Sequence, residues 1–174
     1  RIVLGASDKD NRSFVAGDAS SMIGSHGGDD NITIGAHGIA FGDADFLTAA
    51  HGGDDRLLGK GTGVLLAGEG QAMGSNSVGG NDHLQATGSN ASLYGDADRI
   101  MADGSQGGDD YLHCQAAGSL LVGDSEAMED TAKGGNDVLS GSRFADLIVG
   151  DGQSMEADTT GGDDVLLGGK GNDT

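Results

Sequence analysis

The sequence predicts an all-β chain, a parallel β-solenoid with about one ~27-residue repeat per rung. Three observations carry this. Near-copies of Gly-Gly-(Asp/Asn)-Asp-x-(Leu/Ile) begin at Gly27, Gly52, Gly79, Gly107, Gly134 and Gly161, spaced 25, 27, 28, 27 and 27 residues apart. The apolar segments between them are short and bounded by Gly and Asp, as strands of a solenoid are. Glycine makes up 35 of 174 residues, and no 3.6-residue apolar period persists for three turns, which excludes helix. The copies fill residues 1–174 as a single repeat solenoid of about six and a half repeats.

Each copy opens with the Gly-Gly turn, where glycine tolerates positive φ. A first strand follows, its apolar residue pointing to a core. A second apolar step ends in Gly-Asp: Phe14–Asp18, Ile39–Asp43, Leu65–Glu69, Ser92–Asp96, Leu120–Asp124 and Leu147–Asp151. Five residues beyond each of those glycines stands a third apolar position: Met22, Leu47, Met73, Ile100, Met128 and Met155. A polar stretch of varying length leads to the next Gly-Gly. One copy per rung stacks like on like at the ~4.8 Å strand spacing; an 18-residue rung would stack unlike columns. The expected rung has two good strands and a third, shorter side carrying the methionines, which suit an irregular corner of the core. Cys114 is expected to be a small packing residue in the column of Gly35, Gly59, Gly141 and Gly168.

The charge is strongly asymmetric: 28 Asp plus Glu against 9 Lys plus Arg, a formal net charge of −19. Such composition alone would suit a disordered chain, but the acidic residues are placed periodically. Nucleic acid and anionic membrane surfaces are excluded as partners, since nothing here neutralises phosphates. No run of 18 apolar residues exists, so no transmembrane insertion is expected. A single cysteine excludes an intrachain disulfide. The chain opens and closes in mid-repeat and is expected to be a segment of a longer protein.

Stacking one rung on the next brings the turn acids into columns. Asp30, Asp55, Asp82, Asp110, Asp137 and Asp164 form one, beside Asp29, Asp54, Asn81, Asp109, Asn136 and Asp163. Carboxylates ~5 Å apart repel by roughly 1 kcal/mol in water and by more at lower effective dielectric. A cation between rungs turns that repulsion into coordination. Ca²⁺ suits the site, because it takes 6–8 oxygens in irregular geometry whereas Mg²⁺ demands a near-ideal octahedron. The Gly-Asp acids are expected either to cap turns or to ligate.

These residues resemble the RTX family, the haemolysin-type calcium-binding repeats of pattern Gly-Gly-x-Gly-x-Asp-x-Leu-x. The closest local match is Gly168-Gly169-Lys170-Gly171-Asn172-Asp173; Ser25–Ile32 keeps the fourth-position Gly, the Asp and the apolar residue. The resemblance implies a parallel β-roll, calcium in the turns and type I secretion. Carried over position by position, it implies carboxylate ligands at Asp30, Asp55, Asp82, Asp110, Asp137 and Asp164, with Asp146 and Asp173 in the middle turns. Gly38, Ala91 and Ser119 hold no ligand at the matching middle positions.

No enzyme constellation is present: there is no His-Glu-x-x-His and no Gly-x-Ser-x-Gly. Asp8-Lys9-Asp10-Asn11-Arg12 has a faint EF-hand look but lacks the Gly and terminal Glu. His26 and His51 share a column and read as exposed turn residues. The residues flanking the inward position of the middle strand are apolar at nearly every rung: Phe14 and Ala16, Ile39 and Phe41, Leu65 and Ala67, Tyr94, Leu120 and Val122, Leu147 and Val149. An apolar face of this kind is expected to be an interface for self-association. The expected function is therefore a non-enzymatic, calcium-dependent structural module of a secreted or cell-surface bacterial protein, assembling laterally into a layer, filament or adhesin stalk. The alternative is a carrier module of a secreted toxin, lipase or protease.

Overall fold

A computed structural model describes residues 1–10 and 12–174; Asn11, in the stretch with the EF-hand look, lies outside the described residues. Every regular element among the described residues is a strand. Three parallel sheets run the length of the chain, one strand per rung in each. The first contains β1 (Ile2–Val3), β4 (Asn31–Ile34), β7 (Arg56–Gly59), β10 (His83–Ala86), β13 (Tyr111–Cys114), β16 (Val138–Ser140) and β19 (Val165–Leu167). The second contains β2 (Phe14–Ala16), β5 (Ile39–Phe41), β8 (Leu65–Ala67), β11 (Ser92–Tyr94), β14 (Leu120–Val122) and β17 (Leu147–Val149). The third contains β3 (Ala19–Ile23), β6 (Ala44–Thr48), β9 (Gly70–Gly74), β12 (Ala97–Met101), β15 (Ser125–Met128) and β18 (Ser154–Met155).

The register is the repeat itself. Leu84 pairs with Leu57 on one side and Leu112 on the other, and Leu93 pairs with Leu66 and Leu121. One copy thus makes one rung, and a β-solenoid of about six turns results.

Each rung has two lobes. Between the first and second sheets, Ile32, Leu57, Leu84, Leu112 and Leu139 meet Ala40, Leu66, Leu93, Leu121 and Ile148. A separate core lies under the third sheet, where Met22, Leu47, Met73, Met101 and Met128 pack with Ala44, Ala97, Ala50 and Ala132. The second lobe closes through a turn whose residues Gly24, Ala49, Asn76, Asp103 and Asp130 all have positive φ, a region that Gly, Asn and Asp tolerate best.

Four details differ from the sequence reading. The third side is not shorter: β3, β6, β9 and β12 have five residues each, against three in the second sheet. At the fourth rung the register shifts between Ala97 and Ile100, so that Met101, not Ile100, aligns with Met73 and Met128. The extra residue is a bulge that keeps a methionine in the column. Ile34, not Gly35, aligns with Gly59, Ala86 and Cys114.

Finally, only one of the two outward columns of the middle strand is open. Phe41, Ala67, Tyr94 and Val122 are buried within the chain, because the third strand turns back across them; Tyr94 lies beside Asp98 and Glu126 of that sheet. Phe14, Ile39, Leu65, Leu120 and Leu147 remain half-buried or exposed. No helix of the described residues is long and apolar enough to cross a membrane.

Candidate metal centre

The two lobes meet at a waist, where each Gly-Gly turn comes against the Gly-Asp corner of the copy before it. The second glycine of each turn donates its N–H to the corner carboxylate: Gly28 to Asp18 (2.8 Å), Gly108 to Asp96 (3.1 Å), Gly135 to Asp124 (2.8 Å), and Gly80 to Glu69. Glycine is needed because the backbones touch. A Cβ on Gly108 would lie 1.6 Å from Gly80 O.

The structure separates the paired turn acids that the sequence set side by side. Asp29, Asp54, Asn81, Asp109, Asn136 and Asp163 are exposed and form a ladder. Each side-chain oxygen accepts the backbone N–H of its equivalent one rung on, as from Asn81 to Asp54 (2.8 Å) and from Asp109 to Asn81 (2.7 Å). Asn136 does the same as Asp there, because a ladder of caps needs only an oxygen acceptor.

The second column turns inward. Oδ1 of Asp55 accepts the N–H of Asp30 (2.6 Å), Asp82 that of Asp55 (2.7 Å), Asp110 that of Asp82 (2.7 Å), Asp137 that of Asp110 (2.8 Å) and Asp164 that of Asp137 (2.9 Å). The other oxygen, Oδ2, of Asp55, Asp82, Asp110 and Asp137 is buried with no hydrogen-bond partner. Those oxygens point at the corner glycines. A Cβ on Gly68 would sit 1.8 Å from Asp82 Oδ2 and 1.9 Å from Gly95 O; on Gly42 it would sit 1.8 Å from Asp55 Oδ2 and 1.9 Å from Gly68 O.

The backbone ladder steps over these same glycine carbonyls. Gly68 N–H donates to Tyr94 O, then Glu69 and Gly70 N–H both donate to Asp96 O, passing Gly95 O. Gly95 N–H donates to Val122 O, then Asp96 and Ala97 N–H share Asp124 O, passing Gly123 O. A buried carbonyl left out of its ladder needs a partner. Each rung step thus presents a carboxylate oxygen and a backbone carbonyl to one small, glycine-walled space.

Burial makes these acids poor anions by themselves. It pushes Asp55 and Asp137 up to about 8, and Asp43 and Asp124 to about 7. Burial also raises Asp82, Asp110, Glu69 and Asp96 well above the carboxylate range, with neighbouring carboxylates adding to it. Desolvation and like charge act in the same direction, and both favour a bound proton or cation.

The remaining predicted ligands stand apart. Asp146 Oδ1 accepts the N–H of Ser119 (2.9 Å), and its Oδ2 accepts both the N–H (2.9 Å) and the hydroxyl (2.7 Å) of Ser142. Asp173 Oδ1 accepts the N–H of Asp146 (3.0 Å). Asp146 therefore caps a turn with both oxygens engaged. His26 and His51 stack with ring centroids 4.8 Å apart and planes 7° from parallel. Sequence reasoning left the corner acids undecided between capping and ligation. Asp43, Glu69, Asp96 and Asp124 are fully buried, and their recurrence after Gly at every rung was the available signal.

Among the described residues no three His, Cys, Asp or Glu side chains form a ready-made metal cage; the cradle pairs carboxylate with backbone carbonyl instead. Hard oxygen donors, orphaned and buried, in a space that a Cβ would fill, fit a hard cation such as Ca²⁺. No family model, no curated protein and no solved structure matches the chain.

Proposed function

We propose that the chain is a calcium-binding structural β-solenoid of a secreted or cell-surface bacterial protein, folded by calcium and assembled laterally. The observation that carries this reading is the row of buried Oδ2 atoms on Asp55, Asp82, Asp110 and Asp137, each without a hydrogen-bond partner. Asp30, Asp55, Asp82, Asp110, Asp137 and Asp164 would hold the ion with the carbonyls of the corner glycines. Bound calcium supplies positive charge and a coordination shell that joins successive rungs. The chain's own part is to line up oxygens, exclude water and keep the space clear with glycine.

Calcium dependence fits export. At low intracellular calcium the carboxylate columns keep the chain open; outside the cell, calcium suits sites of ~10⁻⁴–10⁻³ M affinity. Lateral assembly is supported by the open column of Phe14, Ile39, Leu65, Ser92, Leu120 and Leu147, which is apolar at every rung but that of Ser92 and repeats at the strand spacing, so that a second copy can match it. Equilibrium dialysis against calcium tests the binding reading. Several ions per chain, with little magnesium bound at equal concentration, are expected; a chain that binds none overturns it.

A further inference from the structure

The corner carboxylates are more than caps. Glu69, Asp96 and Asp124 are fully buried, and each spends one oxygen on a Gly-Gly N–H while Glu69 Oε2, Asp96 Oδ2 and Asp124 Oδ2 have no partner. A cap needs no charge. The exposed ladder demonstrates this, holding Asn at Asn81 and Asn136 with the same backbone bonds. The corner column holds a carboxylate at all six rungs, and at the four central ones, Asp43, Glu69, Asp96 and Asp124, it is fully buried, where an unmatched charge is costly.

At two rung steps an unpartnered oxygen meets the corner acid of the next rung. A Cβ on Gly107 would lie 2.4 Å from the unpartnered Asp96 Oδ2 and 2.3 Å from Asp124 Oδ1; on Gly134 it would lie 2.3 Å from the unpartnered Asp124 Oδ2 and 2.8 Å from Asp151 Oδ1. Each such space is walled by carboxylates from two successive rungs. One rung therefore adds two buried carboxylates at the waist, one from the first turn and one from the corner, and one divalent ion matches them.

We propose that Asp18, Asp43, Glu69, Asp96, Asp124 and Asp151 are divalent-cation ligands, and that each rung step holds one divalent cation between its first-turn and corner carboxylates. This rests on the calcium reading above and extends it to a second set of residues and a stoichiometry. The corner acid then ties the methionine lobe to the leucine lobe through the ion.

The test is the double variant Asp96→Asn/Asp124→Asn, with Asp130→Asn as control, measured by equilibrium dialysis against calcium and by far-ultraviolet circular dichroism in chelator. Asn keeps the cap and removes the charge. The double variant is expected to bind about two fewer ions or to need at least about tenfold more calcium for half-saturation. In chelator it should keep as much β signal as the wild type or more, because repulsion is relieved. Calcium binding equal to the control overturns the inference. So does loss of β structure in calcium and chelator alike, which would make the corner acids structural caps. A wild type that binds no calcium overturns the underlying reading as well and is told apart by its own titration.

Discussion

Asp82 Oδ2 and Gly95 O face each other across Gly68, at 1.8 and 1.9 Å from where a Cβ on that glycine would begin. The same relationship recurs around Gly42, Gly95 and Gly123, so one substitution probes the whole design. Gly95→Ala would place its methyl 1.7 Å from Gly123 O and 2.1 Å from Asp110 Oδ2. It should cost about 1–3 kcal/mol or more as an overpacked site and weaken calcium binding with it. Gly5→Ala, with nothing within 4 Å, should stay within about 0.5 kcal/mol of wild type. Denaturant unfolding in calcium compares them; equal midpoints would mean that the corner is not closely filled.

Asp137→Ala removes an inward carboxylate and strands the N–H of Asp110 that it accepts at 2.8 Å. The loss of a buried bond partner costs about 1–3 kcal/mol, and the calcium concentration for half-maximal folding should rise. The comparison is Asp130→Asn and not Asp130→Ala, because Asp130 has φ +55° and Asn accepts that conformation. Identical calcium titrations for the two variants would remove Asp137 from the site.

Without calcium, protons should take its place. Asp55 and Asp137 are raised to about 8, and Asp43 and Asp124 to about 7, against ~3.9 for an unfolded Asp. Between about pH 4 and 8 the folded chain therefore binds more protons than the unfolded one, so its stability falls as pH rises. In chelator, β structure should be greatest in mild acid and disappear as pH passes through 7 to 8; calcium should abolish that dependence. A chelated chain more structured at pH 8 than at pH 5 would contradict this.

The open and covered columns of the middle strand should respond differently. Leu120→Thr with Leu147→Thr changes half-buried and exposed positions, and should reduce self-association in sedimentation while leaving calcium-induced β structure intact. Val122→Thr buries a hydroxyl at a fully buried site and should cost about 1–3 kcal/mol of the chain's own stability. If the leucine variant assembles like the wild type, the open column is not the contact.

The rung was legible because Gly-Gly-Asp-Asp recurs with almost constant spacing, and parallel stacking turns that period directly into register. Alternation along a strand also located the inward residues Leu66, Leu93 and Leu121 correctly. It could not locate the burial of Phe41 and Tyr94, since what covers them is the third strand returning from the Gly-Asp corner, a tertiary event. Counting five residues from Gly95 gave Ile100. The bulge in β12 adds one, and the methionine at the next position was the cue. Spacing alone did not tell the inward from the outward acid of each turn, and only the resemblance singled out the column of Asp30, Asp55 and Asp82; adjacent strand-entry residues point to opposite faces, but which faces inward depends on where the corner folds. Glu69 and Asp96 look like solvated turn acids and are buried only because glycine lets the turn and the corner touch.

Circular dichroism of the chain in excess chelator at neutral pH, followed by titration with calcium and separately with magnesium, tests the central claim most directly. Little β structure is expected in chelator, with a cooperative gain on adding calcium and a poor response to magnesium. A full β spectrum in chelator at neutral pH, unchanged by calcium, would contradict the claim.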